Sequence, residues 1–267
     1  MMLAQSMNFL YVGLLLVVYC SQSVIFAVTL SPAHNRVHRV LLDSYTVTLT
    51  LRSSTTLEPL KFFVQDDTQV AINASFFTPS SRPVGTIKTP YLGLYVSDKI
   101  RGVVGWRNTT KGVQWYFDRL SKDKRGNIIS AYYTYPWWEQ AEYIIEGAPL
   151  LVNEGRKMAM DVEALNSNFV HRRYARTGLC VMPQGDVVLL LVEGADTKLF
   201  SFGLNDGMNL AELADYMQKS GCWFGINLDG GYSSSMYSDG SWYYGLHRFI
   251  PPFPPRRIHN ALVFTKR

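Results

Sequence analysis

Short runs of apolar and β-branched residues, separated by turn-forming residues, recur along the whole chain. Runs of this length and composition predict β-strands. The predicted strands cover residues 36–42, 45–51, 70–72, 128–134, 150–152, 179–182, 187–192, 225–228 and 261–264. The pattern is typical of a strand-rich protein that contains few helices.

One segment, residues 210–219, has the apolar spacing of an α-helix. Asn209 can cap its first turn, and Gly221 is placed to end it. Its apolar positions fall on one face: Leu210, Leu213, Ala214 and Met217. The sequence therefore predicts a single amphipathic helix near the C-terminus.

The order of elements around this helix predicts a β-α-β unit, with strand 187–192 before it and strand 225–228 after it. A connection of this kind sets two strands in parallel, so their ends meet at one sheet edge. Glu193 follows the first strand and Asp229 follows the second. The predicted fold class is α+β, with strand-rich mixed sheets, few helices and this unit near the C-terminus.

Residues 9–28 are almost entirely apolar, and no charged side chain occurs before Arg36. The segment has the length of a signal-peptide core, and small residues at Ser21, Ser23 and Ala27 offer cleavage sites. We expect a signal peptide over residues 1–27, a mature start between residues 24 and 28, and one domain over residues 36–267. The protein is predicted to be secreted or periplasmic. An uncleaved leader, which is long enough to span a bilayer, would be its only membrane contact.

The composition, 47% hydrophobic and 18% charged, is that of a globular protein. The net charge of +5 lies wholly outside the leader and favours an anionic ligand. Outside the segments 171–173 and 256–257 the basic residues are scattered, and the leader directs the chain out of the cytoplasm, so we do not expect nucleic acid as a partner. The aromatic content of 13% suits a β-rich core and also the stacking of sugar rings.

Once the leader is removed, Cys180 and Cys222 are the remaining cysteines. In an oxidising compartment they could form one disulfide, and their apolar surroundings equally suit two buried thiols. The chain has no CxxC or HExxH motif, and its five histidines form no metal-ligand cluster in the sequence. We therefore expect neither a metal nor another cofactor.

Polar residues follow several predicted strands. Asp229 comes directly after strand 225–228 and precedes two glycines and three serines. Arg176 leads into strand 179–182, where a fixed cation can bind phosphate or carboxylate oxygens. Asn73 ends strand 70–72. Taken singly, each also fits a simple structural role: a turn for Asp229 and Asn73, an ion pair for Arg176, and a solvated strand end for Glu193.

In their order along the chain, these segments resemble the phosphodiester glycosidase family over residues 37–264. The family segments N-G-G-F-F, S-G-P-x-L, R-T, acidic-Gly, N-L-x-E-x-A, N-L-D-G-G-x-S-S and N-A-L correspond to residues 73–77, 146–151, 176–177, 193–194, 209–214, 227–234 and 260–262. This sequence departs from the pattern at Ala74 and Ser75, which replace two glycines, and at Tyr232, which replaces a small residue. These departures bear on the shape of the sugar pocket.

The resemblance implies a hydrolase that cleaves the bond between a sugar's anomeric carbon and a phosphate, acting on a phosphorylated glycan or a sugar-phosphate polymer. Asp229 and Glu193 are the expected carboxylates at the anomeric carbon, and Arg176 is the expected phosphate anchor. The expected substrate-binding residues are Asn73, Asn227, Gly230, Gly231, Ser233 and Asn260. Asn73 and Asn227 could instead orient Asp229. Such a site requires Arg176 and Asp229 to lie within about 15 Å of each other.

Three other functions fit parts of this pattern. An ordinary glycosidase acting on an exopolysaccharide would also need the paired carboxylates. A phosphodiesterase would cleave the P–O bond instead of the C–O bond. A secreted carbohydrate-binding protein without activity would need no aligned carboxylates at all.

Overall fold

A computed structural model describes residues 16–19, 24–30, 36–195, 207–247 and 256–267, with the backbone alone at 16–19, 24–30, 195 and 247. The strands are β1 Leu16–Tyr19, β2 Val24–Leu30, β3 Arg36–Leu42, β4 Val47–Glu58, β5 Thr68–Asn73, β6 Ile87–Thr89, β7 Leu92–Tyr95, β8 Arg101–Thr109, β9 Gly112–Lys122, β10 Ile128–Ser130, β11 Tyr143–Glu146, β12 Leu150–Asn153, β13 Arg156–Lys157, β14 Arg176–Val181, β15 Val187–Val192, β16 Gly194–Ala195, β17 Phe224–Asn227, β18 Ser235–Ser238, β19 Ser241–Tyr244, β20 Leu246–His247 and β21 Ile258–Lys266. The α-helices are α1 Trp137–Gln140, α2 Ser167–His171 and α3 Leu210–Lys219, and the 3₁₀ helices are η1 Leu60–Phe63, η2 Asp161–Glu163 and η3 Gly231–Ser233.

The described strands form three main sheets. An eight-stranded sheet has the order β1-β2-β3-β15-β14-β17-β12-β13, a six-stranded sheet the order β10-β9-β8-β11-β6-β7, and a five-stranded sheet the order β19-β18-β5-β21-β4. Neighbouring strands in these sheets are antiparallel, and the short pair β16 and β20 is parallel. The prediction of a strand-rich α+β fold is confirmed.

The main core lies where the inner faces of the three sheets meet. Along β15, residues 187, 189 and 191 point into this core, whereas residues 188, 190 and 192 pack beneath α3. Side chains that alternate between two buried faces explain why the segment is an unbroken apolar run. The eight-stranded sheet is therefore the central layer of the molecule.

The predicted β-α-β unit is present with one strand inserted in it. β15 and β17 both run antiparallel to β14, which lies between them, so they are parallel to each other without being hydrogen-bonded neighbours. Their ends reach the same edge of the sheet, and Glu193 and Asp229 follow at that edge. The sequence could not show the inserted strand because β14 precedes both partners in the chain.

Helix α3 has the bounds that its sequence predicts. The side chain of Asn209 accepts a hydrogen bond from the backbone N–H of Glu212, and the Glu212 carboxylate accepts one from the backbone N–H of Asn209. The four predicted apolar residues are buried against the eight-stranded sheet. The chain turns at Gly221, where φ is +85°.

Most of the six-stranded sheet is absent from the sequence-based prediction. Of its strands only β10 is anticipated, and the predicted segment 128–134 runs four residues too far. The carboxylate of Asp118 explains the early end of β10, because it accepts hydrogen bonds from Ser130 Oγ at 2.6 Å and from the backbone N–H groups of Ala131 and Tyr132 at 3.1 Å each. These bonds turn the chain out of the sheet.

Cys180 and Cys222 form a disulfide with a Cα–Cα distance of 5.6 Å. Of the two alternatives left open by the sequence, the structure therefore shows the bridge. It joins β14 to the turn between α3 and β17, beneath the outer face of the eight-stranded sheet.

Much of the predicted signal peptide lies outside the described residues, and so does the proline-rich segment 251–255. Within the predicted leader, β1 and part of β2 are described, and β2 pairs along β3. The cleavage of a leader stays a prediction. No helix among the described residues is long and apolar enough to cross a membrane.

Candidate active site

The candidate site lies where the eight-stranded and five-stranded sheets meet. Arg176 begins β14, and Asn227 ends β17 two residues before Asp229. On the five-stranded sheet, Asn73 ends β5, and Ser235, which begins β18, follows Ser233 by two residues. Two different sheets therefore bring residues that are far apart in sequence to one place.

Asp229 is held at this junction through its backbone. Its carbonyl accepts a hydrogen bond from Asn73 Nδ2 at 2.5 Å, and its N–H donates to the carbonyl of Ala74 at 3.0 Å. Its carboxylate Oδ1 accepts a hydrogen bond from the N–H of Gly230 at 2.9 Å. The side chain is half-buried and still reaches solvent. The backbone fixes the carboxyl group without enclosing it.

The two glycines after Asp229 allow its loop to lie directly on the start of β14. A Cβ at Gly230 would stand 2.9 Å from the carbonyl oxygen of Ala175 and 3.8 Å from Arg176 Cδ. Gly231 has a φ of +61° and donates its N–H to the same Ala175 carbonyl at 2.7 Å. A larger residue at 230 would push the loop away from Arg176.

Arg176 is almost fully buried beneath this loop. Its Nε donates to the carbonyl of Met208 at 2.9 Å, and its Nη2 donates to the carbonyls of Phe169 and Arg172 at 2.8 and 3.0 Å. Nη1 has no hydrogen-bond partner among the described residues. Burial lowers the pKa of Arg176 to about 10, so the side chain stays charged at neutral pH. The guanidinium also lies against the rings of Phe169 and Tyr174.

Asn73 connects the three segments that meet at the site. Its Oδ1 accepts hydrogen bonds from Thr177 Oγ1 at 2.9 Å and from the N–H of Ser235 at 3.0 Å, while its Nδ2 binds the Asp229 carbonyl. All the hydrogen-bonding groups of this buried amide except one N–H are thereby used within the protein. This geometry fits the orientation of Asp229 better than a contact with a sugar hydroxyl.

The other two asparagines hold the walls of the site. Asn260 Oδ1 accepts from the N–H of Ser75 at 3.0 Å, and its Nδ2 donates to Ser75 Oγ at 2.7 Å. Asn227 Nδ2 donates to the carbonyl of Ala148 at 2.6 Å, and its buried Oδ1 has no partner among the described residues. Both side chains are buried, so each fixes the backbone of a neighbouring loop.

The three serines after Tyr232 differ in their surroundings. Ser234 Oγ accepts from Thr177 Oγ1 at 3.1 Å, and Ser235 Oγ donates to the carbonyl of Ser233 at 3.1 Å. The hydroxyl of Ser233 is buried and reaches no partner within hydrogen-bond limits among the described residues, but its interaction with the Asp229 carboxyl group lowers the pKa of Asp229. Of the three hydroxyls, that of Ser233 is the one directed to the carboxyl group.

Glu193 lies at the same end of the eight-stranded sheet as Asp229. Its carboxylate is buried and bound to Nε2 of His38 at 2.5 Å, and the His38 ring lies 4.7 Å from that of Tyr243. Gly194 packs against the backbone N of Ala175, as Gly230 packs against its carbonyl oxygen. Glu193 is therefore near the loop of Asp229, and its carboxylate belongs to a pair with His38 that the sequence did not indicate.

The electrostatic environment of Asp229 raises its pKa to about 6. Desolvation is the main cause, and it is partly offset by Ser233, by the positive charge of Arg256 and by the N–H of Gly230. Asp229 thus combines partial access to solvent with strong desolvation by the protein around it. A raised carboxyl pKa in such a place is typical of catalytic sites.

A second carboxyl group with a raised pKa, that of Glu146, lies in the segment that Asn227 binds. Glu146 is buried, accepts a hydrogen bond from the N–H of Thr86 at 2.7 Å, and stands 3.8 Å from Arg101 Nε. Desolvation raises its pKa to about 7. The sequence placed Glu146 in a motif without assigning it any chemistry.

Two contributors to the site were not singled out from the sequence. Thr177 was noted only as the residue after Arg176, although its hydroxyl bridges Asn73 and Ser234. Arg256 was seen only as half of a basic dipeptide, although its charge acts on Asp229. Neither property leaves a local signal, because each depends on contacts between distant segments. Within the described part of the chain, no group of three or more metal-ligating side chains is present.

Comparison with known proteins identifies the family. The model of the phosphodiester glycosidase family matches residues 66–265. A search of curated protein sequences finds no significant match. Several solved structures share the fold, and three of them, all at low sequence identity, show the range.

The first is a hypothetical protein from Synechocystis, with a TM-score of 0.72 and 17% identity, over 96% of this chain and 64% of that protein. The second is the catalytic domain of zebrafish N-acetylglucosamine-1-phosphodiester alpha-N-acetylglucosaminidase, auto-inhibited by its pro-peptide, with a TM-score of 0.64 and 19% identity, over 91% and 82%. The third is a candidate exported protein from Burkholderia pseudomallei K96243, with a TM-score of 0.62 and 14% identity, over 89% and 75%. This chain thus spans about two thirds of the Synechocystis protein. The family match covers most of the chain, and the protein belongs to the phosphodiester glycosidase family of hydrolases.

Proposed function

We propose that the protein is an exported enzyme that hydrolyses the anomeric C–O bond of a sugar-1-phosphodiester. The substrate we propose is N-acetylglucosamine-1-phosphodiester-like and forms part of a phosphorylated glycan or an envelope polymer. The observation that carries this proposal is Asp229, a half-buried carboxyl group with a raised pKa, whose loop rests on a buried arginine. Family membership supplies the reaction class.

In the proposed reaction, the bond between C1 of the sugar and the bridging oxygen breaks, and its electron pair leaves with the phosphate. Ionised Asp229 acts at C1, either by attacking it or by accepting the proton of the attacking water. Water supplies a hydroxyl to C1 and a proton to the base, so the products are a free sugar and a phosphate monoester. Asn73 and Ala74 hold the backbone of Asp229 for this step.

The leaving group needs little protonation, because the second pKa of a phosphate monoester is about 6. A fixed positive charge can therefore stabilise its departure. Arg176 is our proposed source of that charge. Its hydrogen bonds to three backbone carbonyls keep the guanidinium in place under Gly230, and Nη1 remains for a ligand.

Glu193 is our proposed second carboxylate. Its bond to His38 holds it at the sheet edge that Asp229 also occupies. We propose that Gly230, Gly231 and Ser233 line the pocket. Asn227 and Asn260 support its walls from behind through the loops that they bind.

Two observations support export. The apolar leader has the form of a signal peptide. The disulfide between Cys180 and Cys222 is of a kind that persists outside the reducing cytoplasm. A mature protein recovered outside the cytoplasm and beginning between residues 24 and 28 would support this part of the proposal, whereas full-length protein confined to the cytosol would remove it.

The activity is tested with two substrates that share one sugar. The first is the methyl phosphodiester of N-acetylglucosamine 1-phosphate, and the second is an aryl N-acetylglucosaminide with an uncharged activated leaving group. We expect Asp229→Asn to lose turnover of both. We expect Arg176→Ala to raise the barrier for the diester by about 2–4 kcal/mol and that for the aryl glycoside far less.

The alternatives give different results in the same assay. Equal losses on both substrates in Arg176→Ala would assign Arg176 to the support of Asp229 instead of the phosphate. Full activity in Asp229→Asn would remove the catalytic assignment. Cleavage of aryl glycosides alone would indicate an ordinary glycosidase, and sugar binding with no turnover would indicate a binding protein.

A further inference from the structure

Arg256 is an exposed arginine at the start of the last described segment. Its guanidinium carbon lies 5.2 Å from the centre of the Phe77 ring. It has no carboxylate partner among the described residues. The adjacent Arg257 is different, because its Nη1 lies 3.6 Å from Glu58 Oε2 and 3.4 Å from the carbonyl of Leu57. The two neighbouring arginines thus have different surroundings: Arg257 is paired with Glu58, whereas the carboxyl group on which the charge of Arg256 acts is that of Asp229.

The segment beneath Arg256 is the one that positions Asp229. Phe77 lies three residues after Ala74, whose carbonyl accepts the N–H of Asp229. Asn260, four residues after Arg256, binds the backbone of Ala74 and Ser75. Arg256 and Asp229 are therefore attached to the same short stretch of chain. Consistent with this closeness, the positive charge of Arg256 lowers the pKa of Asp229.

Arg176 cannot present a free guanidinium fork to a phosphate. Bidentate binding uses two nitrogens on one edge of the group. In Arg176 both Nε and Nη2 already donate to backbone carbonyls. Arg256 donates to no described residue, so the whole fork is available from the solvent side of the cleft.

We propose that Arg256 binds the phosphate oxygens of the substrate and makes the site select a charged diester over an uncharged glycoside. This inference rests on the proposed function, since it takes the same cleft to be the substrate site. Arg176 supplies a fixed charge from below, and Arg256 supplies the hydrogen bonds from outside. After cleavage the same contact holds the phosphate monoester product.

The test compares Arg256→Ala and Arg256→Lys with the matched control Arg257→Ala, which removes the same charge one residue away. At about pH 8, where Asp229 is ionised in every variant, we expect Arg256→Ala to lower kcat/KM for the diester about 10- to 100-fold and to leave that for the aryl glycoside within about 2-fold. Arg256→Lys should recover part of the loss, because a lysine keeps the charge but not the fork. Arg257→Ala should match the unaltered protein on both substrates.

A second measurement, the calorimetric affinity for inorganic phosphate, separates the two proposals. If Arg256→Ala weakens phosphate binding and Arg257→Ala does not, the inference stands even where the protein cleaves no diester, and the proposed function alone fails. If the diester is cleaved and Arg256→Ala equals Arg257→Ala in rate and in phosphate affinity, the inference fails and the proposed function stands. An equal loss on both substrates with unchanged phosphate affinity also overturns the inference.

Discussion

Asp229 keeps its proton to a higher pH than an exposed aspartate because the protein around it removes water from its carboxyl group. The groups that favour its ionised form are few: the hydroxyl of Ser233, the charge of Arg256 and the backbone N–H of Gly230. They offset only part of the desolvation. At this scale the site is a carboxyl group whose protonated and ionised forms are balanced near pH 6.

This balance predicts the pH dependence of the reaction. Asp229 must be ionised in order to attack C1 or to activate water, so kcat/KM for the diester should rise with pH through an apparent pKa of about 6. The diester itself stays charged over this range. In Arg256→Ala this rise in kcat/KM should move to higher pH, because a positive charge that favours the ionised form of Asp229 is lost. A rise in kcat/KM near pH 4, or a kcat/KM that falls as pH rises through 6, would contradict the role assigned to Asp229.

Glu146 predicts a pH dependence of stability. Its pKa is about 7 in the folded protein and 4.5 ordinarily, so between these values the unfolded chain loses a proton that the folded protein keeps. The stability contribution of Glu146 therefore falls as pH rises from about 4.5 to about 7. Glu146→Gln keeps an acceptor for the N–H of Thr86 and should remove about 3 kcal/mol of this dependence.

The measurement is the free energy of unfolding in urea at several pH values, with Glu139→Gln as the control for removing an exposed glutamate. If the unfolding free energy of Glu146→Gln and that of the unaltered protein change with pH in parallel, Glu146 does not titrate as described.

The sequence singles out Asp229, Arg176 and Asn73 because each stands where a strand begins or ends, and the structure brings the three to one junction of two sheets. The sequence was not sufficient to show what their side chains contact. The bonds from Arg176 to the carbonyls of Phe169 and Met208, and the pairing of Glu193 with His38, depend on how distant segments pack. The order of apolar and polar residues within one segment does not indicate contacts of this kind.

Among the elements, β14 has the central position in the site. It lies between β15 and β17, begins at Arg176, and carries Thr177 beside Asn73. Its far end is tied to the turn before β17 by the disulfide. The strand that presents the arginine and the strand that leads to Asp229 are thus joined covalently as well as by hydrogen bonds.

The disulfide should contribute measurably to stability. It closes a loop with a sequence separation of 42, which restricts the unfolded chain. The double variant Cys180→Ala/Cys222→Ala should lose about 2–4 kcal/mol of unfolding free energy. A reductant should produce a similar loss in the unaltered protein and none in the double variant. Insensitivity of both proteins to the reductant would contradict a bridge.

Elements were predictable where one physical signal dominates. β3, β15 and α3 agree with their predicted bounds because their apolar periods are unbroken and, for α3, because both ends carry caps. β8 and β9 were missed because glycines and polar residues interrupt their apolar runs. Those strands are stabilised by pairing along their whole length, which is a non-local property.

For the whole molecule, the site exists only when two sheets are joined. Residues 73 and 260 come from one sheet and residues 176 and 227 from the other. The buried hydrogen bonds of Asn73 and Thr177 cross this junction, whereas Asn260 holds the segment at Ser75 on the side of the five-stranded sheet. A site of this construction is rigid, which suits a reaction that depends on fixed charges more than on moving parts.

The central claim is that the bond cleaved is the one between C1 and oxygen. Hydrolysis of the methyl phosphodiester of N-acetylglucosamine 1-phosphate in ¹⁸O-water, followed by mass spectrometry of the methyl phosphate, tests it directly. Attack at C1 leaves the bridging oxygen on the phosphate, so the account predicts methyl phosphate without the heavy isotope. Methyl phosphate that carries one ¹⁸O atom would show cleavage of the P–O bond and would contradict the account.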